Sequence, residues 1–420
     1  MKFPSAFSLQ PNRLIRINMQ SHDDKTEARQ LLRQIISDLA ERGGSDFHLR
    51  TNRVPFLRVH GTLERNLSGR PVRASVLQEI VALLLAMRTG GGEEPVTLAA
   101  FMQVLRKQAS VNFSASTETG CDGAEQALPA ARLRVHAFIE GNGLALVVRR
   151  LCCDIPPLGE LGFEQRVQQR LRNLMLAGAT AGDNGLLLVA GPVGSGKTTT
   201  IGSLINEVNT GAAAHVVRIE DPLELDFGQY SPLNPRSEIY QSLITDREIG
   251  IHCDSFRDGL NDALREDFNI IVVGEMRTRE TIEACLVACE TGHLVVTTLH
   301  ASGAPDAVSR ILAEFPADRK EFICEQLARN LRCVVCQRLI RRADERGRAL
   351  AYEFMEVTGS VKAALYKRDP AVLRQCLDDS RNGVRFNDVL LRLRDRGDIL
   401  PADYERCLMR GGEETKGRTG

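Results

Sequence analysis

From about residue 164 the chain alternates short, continuous apolar runs with longer segments whose apolar residues recur every three to four positions. The runs Leu186–Ala190, His215–Glu220, Asn269–Gly274 and His293–Leu299 predict strands. Their unbroken Val, Ile and Leu content predicts a parallel sheet buried on both faces. Lys197–Asn209, Ser255–Arg265, Thr278–Glu290 and Ala304–Glu314 predict the helices between and after them, and Ser255-Phe-Arg-Asp258 reads as a capping box. Cys285 and Cys289 share a stripe with Ile282 and Leu286, so they read as small hydrophobes on a buried helix face. From Asp318 onward the pattern is mostly helical. Cys333-Val-Val-Cys336 falls inside such a segment and, with no second pair to close a tetrahedral site, reads as packing rather than zinc or redox chemistry.

The first 150 residues are less regular. Thr26–Arg42 and Ala74–Met87 predict helices, Asp46–Arg50 and Pro55–Gly61 short strands, Gly90–Pro95 a linker and Ser114–Pro129 a long loop. Leu133, Val135, Ala137 and Ile139 then alternate with Arg132, Arg134, His136 and Phe138. A turn at Gly141-Asn142-Gly143 and a return over Leu144–Val148 make this a hairpin. This is an α+β module, separated from the regular α/β part by a Pro-containing connector over Asp154–Leu161.

At 420 residues the chain has room for two to four folded units, at about 100–200 residues each. Its 54 basic and 54 acidic residues exclude a protein coated uniformly in positive charge for a polyanion, and an acidic disordered chain as well. The absence of Trp weighs weakly against base-stacking platforms. The longest apolar run, Ile80 to Met87, is far short of the roughly 18 residues a membrane-spanning helix needs. The N-terminal stretch lacks a signal peptide's apolar segment, so a cytoplasmic protein is expected. Eleven cysteines, an odd number over a long chain, do not form a disulfide framework in that compartment.

The strongest chemical signal is Gly191-Pro-Val-Gly-Ser-Gly196-Lys197-Thr198, a G-x-x-x-x-G-K-[ST] loop between an apolar strand and a helix. Glycines there let backbone amides turn inward around phosphate oxygens, and the helix N-terminus adds partial positive charge. Lys197 is expected to reach the β and γ phosphates and Thr198 to ligate Mg²⁺. Ile270-Ile-Val-Val-Gly274-Glu275 is an apolar strand ending in a carboxylate, and Glu220-Asp221-Pro222-Leu-Glu224 follows the strand before it. Both acidic groups are expected at the carboxyl edge of the sheet, where α/β sites form and an acid can activate water. His293 and His300 bracket the next strand at its two ends, which makes His300 the better candidate to sense the γ-phosphate.

In this order GPVGSGKTTT, IEDPLE, LREDFNIIVVGEMRTRETI and ETGHLVVTTLHASGA resemble the Walker A loop, Asp box, Walker B segment and His box of the type II/IV secretion ATPase family. Within that family the chain is most similar to PilT-like pilus-retraction ATPases. The resemblance extends over about residues 40–345, through IPPLGELGF and FPADRKEFICEQLARNLRCVVCQRLI. It implies an α/β protein with a PAS-like α+β N-terminal domain (26–152, after an extension over 1–25) and a connector (153–163). A RecA-like P-loop ATPase domain (164–345), a helical C-terminal region (346–410) and a disordered tail (411–420) follow.

The resemblance further implies an ATP- and Mg²⁺-dependent homo-hexameric motor working on the cytoplasmic face of an inner-membrane pilus or secretion platform, without nucleic acid. Glu220 takes the position of the catalytic acid and Glu275 that of the Walker B acid. Gly191, Pro192, Val193, Gly194, Ser195, Gly196, Lys197, Thr198 and Thr199 form the nucleotide cradle. Asp221, Glu224, His293 and His300 fall in the nucleotide-binding boxes, while Arg134, Arg149 and Arg247 are candidate nucleotide contacts within or between subunits. Thr198 and Glu275 are the expected Mg²⁺ positions. The family's usual Gln-Arg-Glu is here Asp246-Arg247-Glu248.

Three alternatives carry different expectations. A DotB-like ATPase of type IVB secretion or conjugation is a closely related alternative. A nucleic-acid motor would use the arginines at 329, 332, 338, 341, 342, 346 and 348, yet no aromatic residues interleave them. A small-molecule kinase needs a lid and an acceptor site, which these motifs do not supply.

Overall fold

The computed structural model describes residues 22–42, 44–59, 62–65, 70–88, 96–117, 131–150, 155–180, 182–225, 227 and 242–416. The chain divides into two compact units, Met1–Leu151 and Cys152–Gly420.

The first unit runs α1 (His22–Glu41), β1 (Gly44–Arg50), β2 (Phe56–Val59), β3 (Thr62–Arg65), α2 (Ala74–Ala86), α3 (Leu98–Gln108), β4 (Ser110–Ser116), β5 (Arg132–Glu140) and β6 (Gly143–Arg150). The strands form one antiparallel sheet in the order β3-β2-β1-β6-β5-β4. Alternation puts Leu133, Val135 and Ala137 of β5 into a core with Leu32 and Ile36 of α1 and Ile80 and Leu84 of α2. The arginines of β5 lie on the opposite face. Three elements, β3, α3 and β4, are not among those the sequence predicts. α3 is opened by the Thr97 side chain, which accepts from the Ala100 amide. β4 occupies the start of the expected loop at Ser114–Ser116, because it supplies the edge strand that pairs with β5. The remainder of that loop, 118–130, lies outside the described residues.

The second unit follows a 3₁₀ turn (Leu158–Glu160) with α4 (Gln165–Thr180), β7 (Gly185–Ala190), α5 (Lys197–Gly211), β8 (His215–Glu220), β9 (Leu243–Glu248), α6 (Phe256–Ala263), β10 (Ile270–Val273), α7 (Arg279–Glu290), β11 (Leu294–Leu299) and α8 (Ala304–Ala313). It continues with α9 (Lys320–Asn330), β12 (Leu331–Arg341), β13 (Arg348–Glu356), α10 (Gly359–Lys367), α11 (Pro370–Asp378), β14 (Gly383–Val384), α12 (Phe386–Asp395) and α13 (Pro401–Lys416). Its sheet has the order β14-β13-β12-β7-β11-β10-β8-β9. From β12 to β9 every pairing is parallel, while β13 and β14 add antiparallel at one edge. Residues of α4, α5 and α12 share one core with the sheet, and residues of α6 to α11 share the other. Burial on both faces explains the unbroken apolar runs.

Several sequence expectations change here. Cys333 and Cys336 sit on β12, not on a helix, since Leu331–Cys336 pairs with β7 in the sheet interior. Region 346–410 is not wholly helical: it opens with β13, whose hairpin with β12 spans position 345. α13 also runs to Lys416, into the stretch expected to be disordered, and 417–420 lie outside the described residues. Ser255 caps α6 as expected, its Oγ accepting from the Asp258 amide at 3.1 Å.

Candidate functional site

Because β7, β8, β10 and β11 are parallel, the loops that leave them emerge at one sheet edge. The phosphate loop leaves β7 and enters α5 through Gly196, whose left-handed backbone (φ +88°) suits glycine. Lys197 Nζ donates to the carbonyls of Gly191 (2.8 Å) and Pro192 (3.0 Å). Burial pushes its ammonium pKa down, opposed by the charges of Glu275 and Glu224. Thr198 Oγ1 donates to Glu224 Oε2 at 2.7 Å, which ties the loop to the acidic segment after β8. His300, just past β11, places Nδ1 3.1 Å from the Gly191 carbonyl and Nε2 3.4 Å from Glu275. Glu275 is also paired with Arg277 at 2.7 Å. Lysine, hydroxyl, two carboxylates and an imidazole thus converge on one loop.

Glu220 ends β8 beside this group, where the Gly274 amide donates to the Ile219 carbonyl. Its carboxylate is held by Arg218, and burial raises its pKa against that pull. Asp221 follows at the start of the loop that leads to Glu224. Not every expected residue is gathered here. His293 sits at the opposite end of β11, stacked on Phe268 with its Nδ1 against the Ala288 carbonyl, so it is remote from the phosphate loop. Arg247, on β9, is paired with Glu266 and with Asp262 (3.7 Å). Arg134 and Arg149 belong to the first unit, where they face each other across β5 and β6 and Arg149 pairs with Asp46 at 2.7 Å.

Sequence reasoning missed the supports of the loop. Gln337 of β12, 1% exposed, donates from Nε2 to the Ser195 carbonyl (2.9 Å) and accepts from Thr200 Oγ1 (3.0 Å). A Cβ on Gly191 would lie 2.3 Å from the Gln337 carbonyl, so only glycine fits that approach. Arg348 of β13 donates to the Gly194 carbonyl at 3.1 Å. Glu353 of β13, its carboxyl pKa raised by burial, accepts from the Ala304 amide at 2.6 Å and so anchors the loop that carries His300. A Gln-Arg pair inside the otherwise apolar run CVVCQRLI was the signal available for Gln337. Beside the loop lies a cavity of about 760 Å³ whose lining includes Val193, Ser195, His300, Arg310 and Arg338, a volume suited to a small-molecule ligand.

Among the described residues no helix is long and apolar enough to cross a membrane. The family model "Type II/IV secretion system protein" matches residues 126–390. The "Twitching motility protein" of Neisseria gonorrhoeae is 40% identical over 232 residues, 55% of this chain and 57% of that protein, so the match spans less than two thirds of that relative. The "Type IV pilus retractation ATPase PilT" of Pseudomonas aeruginosa is 30% identical over 329 residues, 78% of this chain and 83% of that protein. A crystal structure of the pilus retraction motor PilT with bound ADP superposes with a TM-score of 0.72 at 30% identity, covering 89% of this chain and 96% of that one.

Proposed function

The chain belongs to the type II/IV secretion system protein family, and from that premise we propose that it is a motor ATPase that hydrolyses ATP to drive retraction or dynamics of a type IV pilus. The observation that carries this reading is the convergence of Lys197, Thr198, Glu224, Glu275 and His300 on the phosphate loop. Backbone amides of residues 191–197 and the N-terminus of α5 bind the phosphates, and Lys197 neutralises their charge. Glu220 accepts the proton of the attacking water, and Glu275 with His300 senses the γ-phosphate. The hard oxygens of Thr198 and of the Glu224 carboxylate it touches fit Mg²⁺, which Thr198 and Glu275 would hold. When bound, that ion neutralises charge on the β and γ phosphates.

Residues 26–152 act as the PAS-like domain of a subunit in a homo-hexamer. The ring works peripherally at the cytoplasmic face of an inner-membrane platform and needs no nucleic acid. The names of the pilus relatives favour this over the DotB-like alternative. The test is light scattering of the purified protein with and without ATP, alongside phosphate release with and without DNA. Ring assembly and DNA-independent turnover are expected; a strict monomer, or turnover that requires DNA, would reject the motor.

A further inference from the structure

Among the described residues the largest fully buried side chain is a charged one, Arg218, with 0% exposure in the middle of the apolar strand β8. Burying a guanidinium costs several kcal/mol unless its donors are met, and here they are met. Nε and Nη2 reach Glu220 Oε1 at 3.1 and 3.0 Å, Nη1 reaches Asp246 Oδ1 at 2.9 Å, and both terminal nitrogens share the Leu225 carbonyl at 3.3 Å. The Phe227 ring lies under the guanidinium at 4.7 Å.

The strand geometry makes this arrangement specific. Arg218 and Glu220 are two residues apart, hence on the same face of β8. Asp246 stands directly opposite Arg218 on the parallel strand β9.

We propose that Arg218 is the positioning residue of the Glu220 carboxylate, seated by Asp246 on the neighbouring strand. The proposal rests on Glu220 being the group that activates water. Arg218 holds one carboxylate oxygen, leaving the other to face the reacting water, and its charge favours the ionised form that a base requires. Asp246 fixes the arginine and tempers its pull. The other charges around Glu220 are Glu224, on the loop after β8, and Glu248, opposite it on β9. Burial and the charges of Asp246 and Glu224 push the Glu220 carboxyl up, and Arg218 pulls it down. The fork therefore decides over what pH range the base is available.

The two partners predict opposite effects, which a merely structural role would not. Asp246→Asn keeps an acceptor for Nη1 and removes a negative charge, so the acid limb of kcat against pH moves to lower pH. Arg218→Met removes the positive charge, so the limb moves to higher pH by about one unit, the scale of a contacting charge on a carboxylate. Titration of ATP itself is common to all variants and cancels in the comparison. KM for ATP stays within about twofold in Asp246→Asn, because neither residue touches the phosphate loop.

Should Arg218→Met fail to fold, Asp246→Asn alone decides. Opposite shifts, or a downward shift of Asp246→Asn where Arg218→Met does not fold, support the proposal; an unmoved limb in Asp246→Asn, or shifts of the same sign, overturn it. Glu220→Gln is measured alongside: near-normal turnover there would instead remove the role of Glu220 on which the proposal rests.

Discussion

Replacing Gln337 by leucine tests how the phosphate loop is held. The substitution keeps the side chain's volume but removes both of its hydrogen bonds, leaving the Ser195 carbonyl and the Thr200 hydroxyl without a partner. Both residues are only 2% exposed, so water cannot take over. Each orphaned buried group costs roughly 1–3 kcal/mol, and the more apolar leucine returns about 1 kcal/mol. The expected net loss is about 2–4 kcal/mol in the second unit, a fall in Tm of roughly 5–10 °C. The Ser195 carbonyl lies in the turn proposed to cradle the phosphates, so affinity for a fluorescent ADP analogue should fall about tenfold, or about 1.4 kcal/mol.

Thermal unfolding and nucleotide titration measure the two effects separately. Adding Thr200→Val removes one of the two orphans and should recover about 1–2 kcal/mol. If Gln337→Leu stays within about 0.5 kcal/mol of the wild type with unchanged nucleotide affinity, the loop is not held from β12.

Two other outcomes follow from the same structure. In the first unit, burial raises the Asp46 carboxyl, but hydrogen bonds from Arg149 and Ser45 outweigh it and hold the pKa below the ordinary value. That stability is present above the unfolded pKa near 4 and is lost as pH falls through the lower folded value. Acid unfolding followed by circular dichroism should therefore be less steep in Asp46→Asn than in the wild type, and equal slopes would refute the pairing. Cys285, Cys333 and Cys336 are buried and their thiols are pushed up to about 12, whereas Cys407 is partly exposed. Iodoacetamide at pH 8 followed by peptide mapping should label Cys407 well before those three, and comparable rates would contradict their burial.

The second unit was legible where each residue obeyed one rule. β7, β8, β10 and β11 are short apolar runs, and the phosphate loop sits where a strand meets a helix. β12 was not legible as a strand because it is buried on both faces: Leu331–Gln337 shows no alternation, and a run without period two resembles a buried helix. β9 hid for the opposite reason. Its residues LITDRE look like an exposed loop, because Asp246 is polar in order to meet Arg218 across the strands. Gln337 and Arg348 come from positions more than a hundred residues away from the loop they brace, and Glu353 from 49 residues beyond its partner Ala304. No local pattern announces them. The loop between β7 and α5 was thus readable from its own residues, and the side chains that brace it only from the fold.

The central claim is that this site hydrolyses ATP with Lys197 holding the phosphates and Glu220 activating the water. Phosphate release and ADP-analogue binding, measured together on the wild type, Lys197→Ala and Glu220→Gln, test it most directly. The account predicts turnover in the wild type, loss of both binding and turnover in Lys197→Ala, and retained binding with turnover reduced at least about a hundredfold in Glu220→Gln. Turnover that survives either substitution at near the wild-type rate would contradict it.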